Sequence, residues 1–251
     1  MKLIPPDEPA KPSLAQLLCR GDIWQGQEKV RMIQPGLDTG FDELNGVLVG
    51  RGWPVGQLVE VCLPSAMQGE WMLLNHAIRE MKGLVVLLNP PAIPFAQRLI
   101  QMGINLDRLI LVKAQERADF LFSFVELTRS AECSVVMAWQ PQKGLSYTDL
   151  RKCLLATQEA QGLYVLFRPL AVRDQSSPAS LRLTMQTRAQ DLMINIFKQK
   201  GSLKPQTEPV FLPLPTIWNG LPAHSQLDQN EKPQPKRASV THLRIVKPGR
   251  T

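Results

Sequence analysis

A chain of 251 residues with 44% apolar content is long enough to bury one full core, and its four scattered cysteines, with no CxxC pair and no His at ligand spacing, exclude a zinc site or a disulfide framework. The formal charge of +7 is uneven: residues 221–251 hold six Lys/Arg and two acids, a net of +4, which leaves only +3 for the rest and argues against a broadly basic nucleic-acid-binding body. The longest strongly apolar run, "GLVVLL", falls far short of a membrane span, and the Pro-rich start "MKLIPPDEPAKPSL" lacks the apolar stretch of a signal peptide, so a cytoplasmic protein without membrane contact is expected.

Residues 1 to about 13 read as a Pro-rich arm, followed by "SLAQLLCRGDIWQGQ", a helix with Ser13 as N-cap and Gly21 as its stop. In "IQPGLDTGFDELNGVL", Asp38 or Thr39 is expected to cap a short helix carrying Phe41, Leu44 and Leu48. From Gly56 onward, short apolar strands ("QLVEVC", "LVVLLN", "LILVKA", "CSVVMAW", "LYVLFRP") alternate with helical segments ("GEWMLLNHAIREMK", "IPFAQRLIQMGI", "ADFLFSFVELTRSAE", "YTDLRKCLLATQEAQG"). That rhythm predicts a three-layer α/β domain with a mostly parallel sheet covered on both faces. After Pro169 it changes: "LRLTMQTR" and "LMINIFKQKG" read as an antiparallel pair, the C-terminal extension of the sheet. Three regions follow: 1–30 as arm and helix, 31–203 as the core, and 204–251 as a Pro-rich, basic, largely disordered tail.

The stretch "GQLVEVCLPSAMQGEWMLLNHAI", residues 56–78, has the layout of a phosphate-cradling loop, with an apolar strand, a loop with Gly near its end, and a helix. Where such a loop needs Gly-Lys-Ser/Thr, this one has Gly69, Glu70 and Trp71 after Ser65 and Gln68. The order of elements, with "LDTGFDELNGVLVGRGWPVGQLVEV" before the loop, "GINLDRLILVKAQ" before the third strand, and "SLRLTMQ" then "MINIFKQKGSLKPQ" at the end, resembles the RecA core from about residue 31 to 206. More narrowly, "LLCRGDIWQG", "GRGWPVGQLVEV", the Gly-Glu of the loop, "ECSVVMAW" and "LYVLFRP" followed by "SSPASLRL" resemble the ImuA family, RecA-like accessory proteins of bacterial mutagenic translesion synthesis. "SVVMAW" and "LFRP" also resemble SulA, the small cell-division inhibitor related to it.

Carried onto these residues, the RecA resemblance implies losses at four places, the loop counted as one. The phosphate-binding Lys and the magnesium-binding hydroxyl are matched by Glu70 and Trp71, and the water-activating carboxylate by "LNPP" at Asn89, Pro90 and Pro91. The metal-positioning Asp of the fourth strand is matched by Ala138 or Trp139, and the γ-phosphate sensor by Arg168-Pro169. Without them, phosphoryl transfer has lost most of its electrostatic stabilisation, so no enzyme activity, no metal and no cofactor are expected. What the ImuA resemblance implies is an adaptor of the SOS response. Its partners would be ImuB, a Y-family polymerase homologue, together with an error-prone DNA polymerase and RecA, with DNA contact indirect or weak. A SulA-like inhibitor of division is the alternative.

For Trp71 and Trp139, two readings stand: filling of a vacated cavity and a pocket for a partner. Lys198 and Lys200 read either as contacts for an acidic partner or DNA phosphate or as charges that guard a strand edge. In "EPVFLPLPTIWNGLP", the residues Phe211, Leu214 and Trp218 belong either to a strap on the domain or to a peptide that orders on a partner.

Overall fold

A computed structural model describes residues 35–202, 206–214 and the backbone of Ile245 and Val246. The expected N-terminal helix with its Ser13 cap, and Trp218 near the C-terminus, lie outside the described residues. A nine-stranded sheet runs in the order β8-β7-β6-β1-β5-β4-β2-β3-β9. Its strands are β1 (Leu58–Leu63), β2 (Leu84–Leu88), β3 (Leu109–Val112), β4 (Cys133–Trp139), β5 (Leu163–Pro169), β6 (Leu181–Thr187), β7 (Asp191–Gln199), β8 (Val210–Pro213) and β9 (Ile245–Val246). The pairs β6-β1, β1-β5, β5-β4, β4-β2, β2-β3 and β3-β9 are parallel, and β6-β7 and β7-β8 are antiparallel. The fold is thus a three-layer α/β core with a mostly parallel sheet and an antiparallel C-terminal extension.

Every residue of β1 is buried because both faces of the sheet are covered. Period-2 alternation sends Val59, Val61 and Leu63 into one core, with α1 (Asp42–Val47), α2 (Glu70–Glu80) and α3 (Ala96–Gln101). Leu58 faces the other core, with Phe120 and Phe124 of α4 (Arg117–Arg129) and Leu150 and Cys153 of α5 (Tyr147–Gln158). In α2, Leu73, Leu74, Ala77 and Ile78 form the apolar stripe. A capping box opens α5: Asp149 N–H donates to Ser146 Oγ (3.3 Å), and Ser146 N–H donates to Asp149 Oδ2 (2.8 Å). Arg117, the first residue of α4, lies 2.6 Å from the same carboxylate and ties the two helix starts together.

Three expectations are corrected. Neither Asp38 nor Thr39 caps α1, whose N-cap is Phe41 without a side-chain bond. Gly40, at φ +81°, sets the two polar residues ahead of the helix start; there Thr39 Oγ1 donates to Asn45 Oδ1 (2.8 Å), and Asp38 accepts from Gly40 N–H (2.8 Å) and from Asn45. The helix expected over "IPFAQRLIQMGI" is confined to Ala96–Gln101, because Pro94 disfavours helical geometry at Ile93 and Gly103, at φ +78°, stops the helix. The sheet also runs past the boundary expected at residue 203. Val210 and Leu212 turn into the core while Phe211 turns out, and Pro213 is tolerated because β8 is an edge strand of the antiparallel extension. Among the described residues, no helix is long and apolar enough to cross a membrane.

Candidate functional site

Residues 64–69 leave the C-terminal end of β1, where an open α/β sheet places its ligand crevice, and enter α2. Met67 at φ +64° and Gly69 at φ +99° curl this loop, and a Cβ on Gly69 would meet Leu192 Cδ2 at 3.0 Å. Glu70, the first residue of α2, is only 3% exposed and folds back into the curl. Its Oε1 accepts the Met67 N–H (3.0 Å) and lies 3.5 Å from the Trp139 indole N–H. A carboxylate on a loop N–H at a helix N-terminus satisfies the same donors and the same end of the helix dipole that would attract a phosphate. Gln68 holds the loop from outside: its Nε2 donates to Ser65 Oγ (2.7 Å), and its carbonyl accepts the Thr187 hydroxyl at the end of β6.

Trp139 ends β4 and stacks on Phe167 of β5, with ring centroids 4.9 Å apart. Ala138 points to the opposite face, fully buried in the second core. Two cavities flank the loop. One, of about 260 Å³, is lined by Glu70, Trp71, Leu99, Met102, Trp139 and the Pro-rich turn after β2. Around it Met67, Ile93 and Phe95 are 74%, 60% and 69% exposed. The other, of about 650 Å³, lies over the strand ends, with Ser65, Asn89, Gln115, Gln140, Lys143 and Arg168 on its walls. There Asn89 holds φ +60° and donates its N–H to the Val112 carbonyl (2.7 Å), and Lys143 is paired with Glu116 (2.7 Å).

Sequence reasoning missed a buried charge cluster on the second face of the sheet. Glu60, in the middle of β1 and wholly buried, accepts from Arg168 Nη1 of β5 (3.0 Å), Arg182 Nη2 of β6 (2.8 Å) and Ser177 Oγ (2.6 Å). Arg168 Nε also donates to Gln140 Oε1 (2.6 Å). The residue matched to a γ-phosphate sensor is thus bound to Glu60. Burial, and then the Glu60 charge, pushes the neighbouring Cys62 thiol up to about 12. The signal was present in the sequence, as a lone acid inside the apolar run "QLVEVC" and a lone Arg near the edge of each of two other apolar strands, but its partners lie more than a hundred positions away.

The other predicted residues lie apart from the loop. Lys198, half-buried on β7 opposite Arg182, donates to the Ser177 carbonyl (2.6 Å); desolvation, and then Arg182, lowers its pKa. Lys200 is exposed just past the end of β7. Phe211, 43% exposed, pairs opposite Met193 and lies under the Arg188 guanidinium (5.0 Å to the ring centroid), while Leu214 packs against the first core. Among the described residues, no group of three or more His, Cys, Asp or Glu is placed to hold a metal ion.

No family model matches this chain, and no curated protein matches it. Among solved structures, it is similar to SulA from Pseudomonas aeruginosa, at 23% sequence identity and a TM-score of 0.36, over 46% of this chain and 99% of that one.

Proposed function

We propose that this chain is a non-catalytic RecA-like adaptor of SOS-induced mutagenic translesion synthesis, binding an ImuB-like Y-family polymerase homologue, an error-prone polymerase and RecA. The observation that carries the reading is the Glu70 carboxylate seated on the Met67 N–H inside the loop. A phosphate brought to that loop would meet a negative group at close range; at ~4 Å and an effective dielectric of about 20, each such pair of charges costs about 4 kcal/mol. The adjoining surface is apolar, with Met67, Ile93 and Phe95 exposed beside a cavity, which suits a protein side chain better than a triphosphate.

Two measurements test this. Titration calorimetry with magnesium and a non-hydrolysable ATP analogue is expected to show no binding up to millimolar concentration; saturable micromolar binding would overturn the non-catalytic reading. Pull-down with the ImuB-like protein and with RecA is expected to retain both, with loss on Phe95→Asp. Retention of neither, together with filamentation of cells that overproduce the chain and unchanged induced mutation, would establish a SulA-like inhibitor of division instead.

A further inference from the structure

The edge of the sheet at β3 raises a question the loop does not. β3, "LILV", carries no charge and no proline along its length, and Leu109, Leu111 and Val112 are buried. Arg108, just before it, is turned away from the edge, its Nε donating to the Gly83 carbonyl (2.8 Å). Lys113 is exposed just past the end of β3, but the four residues of the strand carry no such guard themselves, and an apolar edge of this kind invites pairing with any extended chain unless something covers it. In this structure the cover is the chain itself: Ile245 and Val246 run parallel to β3, opposite Leu111 and Val112.

We infer that residues 245–246 are an intramolecular strap over the β3 edge, held weakly enough to exchange with its open form. The reach is sufficient. From β8 to β9 the sheet takes eight inter-strand steps, about 38 Å at ~4.8 Å each. The roughly 30 residues between Leu214 and Ile245 can span at most about 100 Å. A tether of that length keeps the strap at high local concentration, which favours the chain's own segment over a second copy. Among the described residues the ladder has two pairs, few bonds beside those of a central strand, which makes the hold slight. This inference is independent of the adaptor reading, since it rests on the opposite edge of the sheet from β8 and on no partner.

Hydrogen exchange tests it on three proteins: the full chain, the chain ending at residue 240, and the full-length Ile245→Pro variant, which removes an N–H while keeping the tail. Amides of β3 are expected to exchange about tenfold faster in both altered proteins, while those of β1 and β4 stay protected and report an intact fold. A synthetic peptide of residues 239–251 is expected to restore β3 protection in the truncated chain, saturably. Equal β3 exchange in all three proteins would overturn the strap. So would protection of the full chain that appears only at concentrations where it sediments as a dimer, since a second copy would then be the occupant.

Discussion

Strand β1 and the helix that follows it carry two buried carboxylates, ten positions apart, that are stabilised in different ways. Glu60, 0% exposed, is matched by two guanidinium groups and a hydroxyl from β5, β6 and the turn between them. Glu70, 3% exposed, is paired with no cation among the described residues and is held by a loop N–H, an indole N–H and the start of α2. The first arrangement joins three strands in the interior and serves the fold. The second is a set of dipoles already disposed for an anion, in which the chain's own side chain sits. Burial alone therefore does not tell one kind of support from the other; the kind of partner does.

The largest expected effect breaks the first arrangement. Glu60→Leu leaves Arg168 and Arg182 buried without their shared anion and is expected to cost about 3–5 kcal/mol by urea denaturation. That variant risks not folding, so the triple substitution Glu60→Leu, Arg168→Met, Arg182→Met sharpens the claim: removing all three charges is expected to recover most of the loss. A triple variant as unstable as the single one would mean that packing, and not uncompensated charge, is what Glu60 supplies. Glu70→Ala is expected to cost less, about 1–2 kcal/mol, because the Met67 N–H lies in a half-exposed loop and water can replace the carboxylate. A loss at position 70 equal to that at position 60 would remove the distinction between the two.

The contrast also explains what the sequence could show. Alternation of apolar runs and helical periodicity placed β1 to β5 and the β6–β7 pair, because those signals are local and each strand buries its own side chains on covered faces. The loop was legible through Gly69 and Glu70, whose meaning rests on neighbours three residues apart. The Glu60 cluster was not, since its partners at 168, 177 and 182 come together only after the sheet has formed. Pro94 shortened a helix that periodicity extends through it, and β8 was obscured because a strand of four residues between prolines has the composition of a tail.

A third buried carboxylate combines both kinds of support and offers the finest test. Asp149, 3% exposed, caps α5 through Ser146 and meets Arg117 at 2.6 Å. Burial by itself would raise its pKa; the Ser146 hydroxyl and N–H, with Arg117, outweigh that and hold it below the usual 3.8. A carboxyl depressed in the folded state contributes stability that is fully present above its unfolded value and is lost as pH falls through the folded one. Asp149→Asn is therefore expected to lower stability by about 1 kcal/mol at pH 7, a modest figure because Arg117 is half exposed and its charge is screened by solvent. The gap between the two proteins in urea midpoint is expected to persist down to about pH 5 and to close below about pH 4 as the wild-type carboxyl takes up its proton. A gap that stayed constant to pH 2 would mean that the side chain acts at this position by shape and hydrogen bonding alone, as a neutral cap, and that its charge contributes nothing to joining α4 and α5.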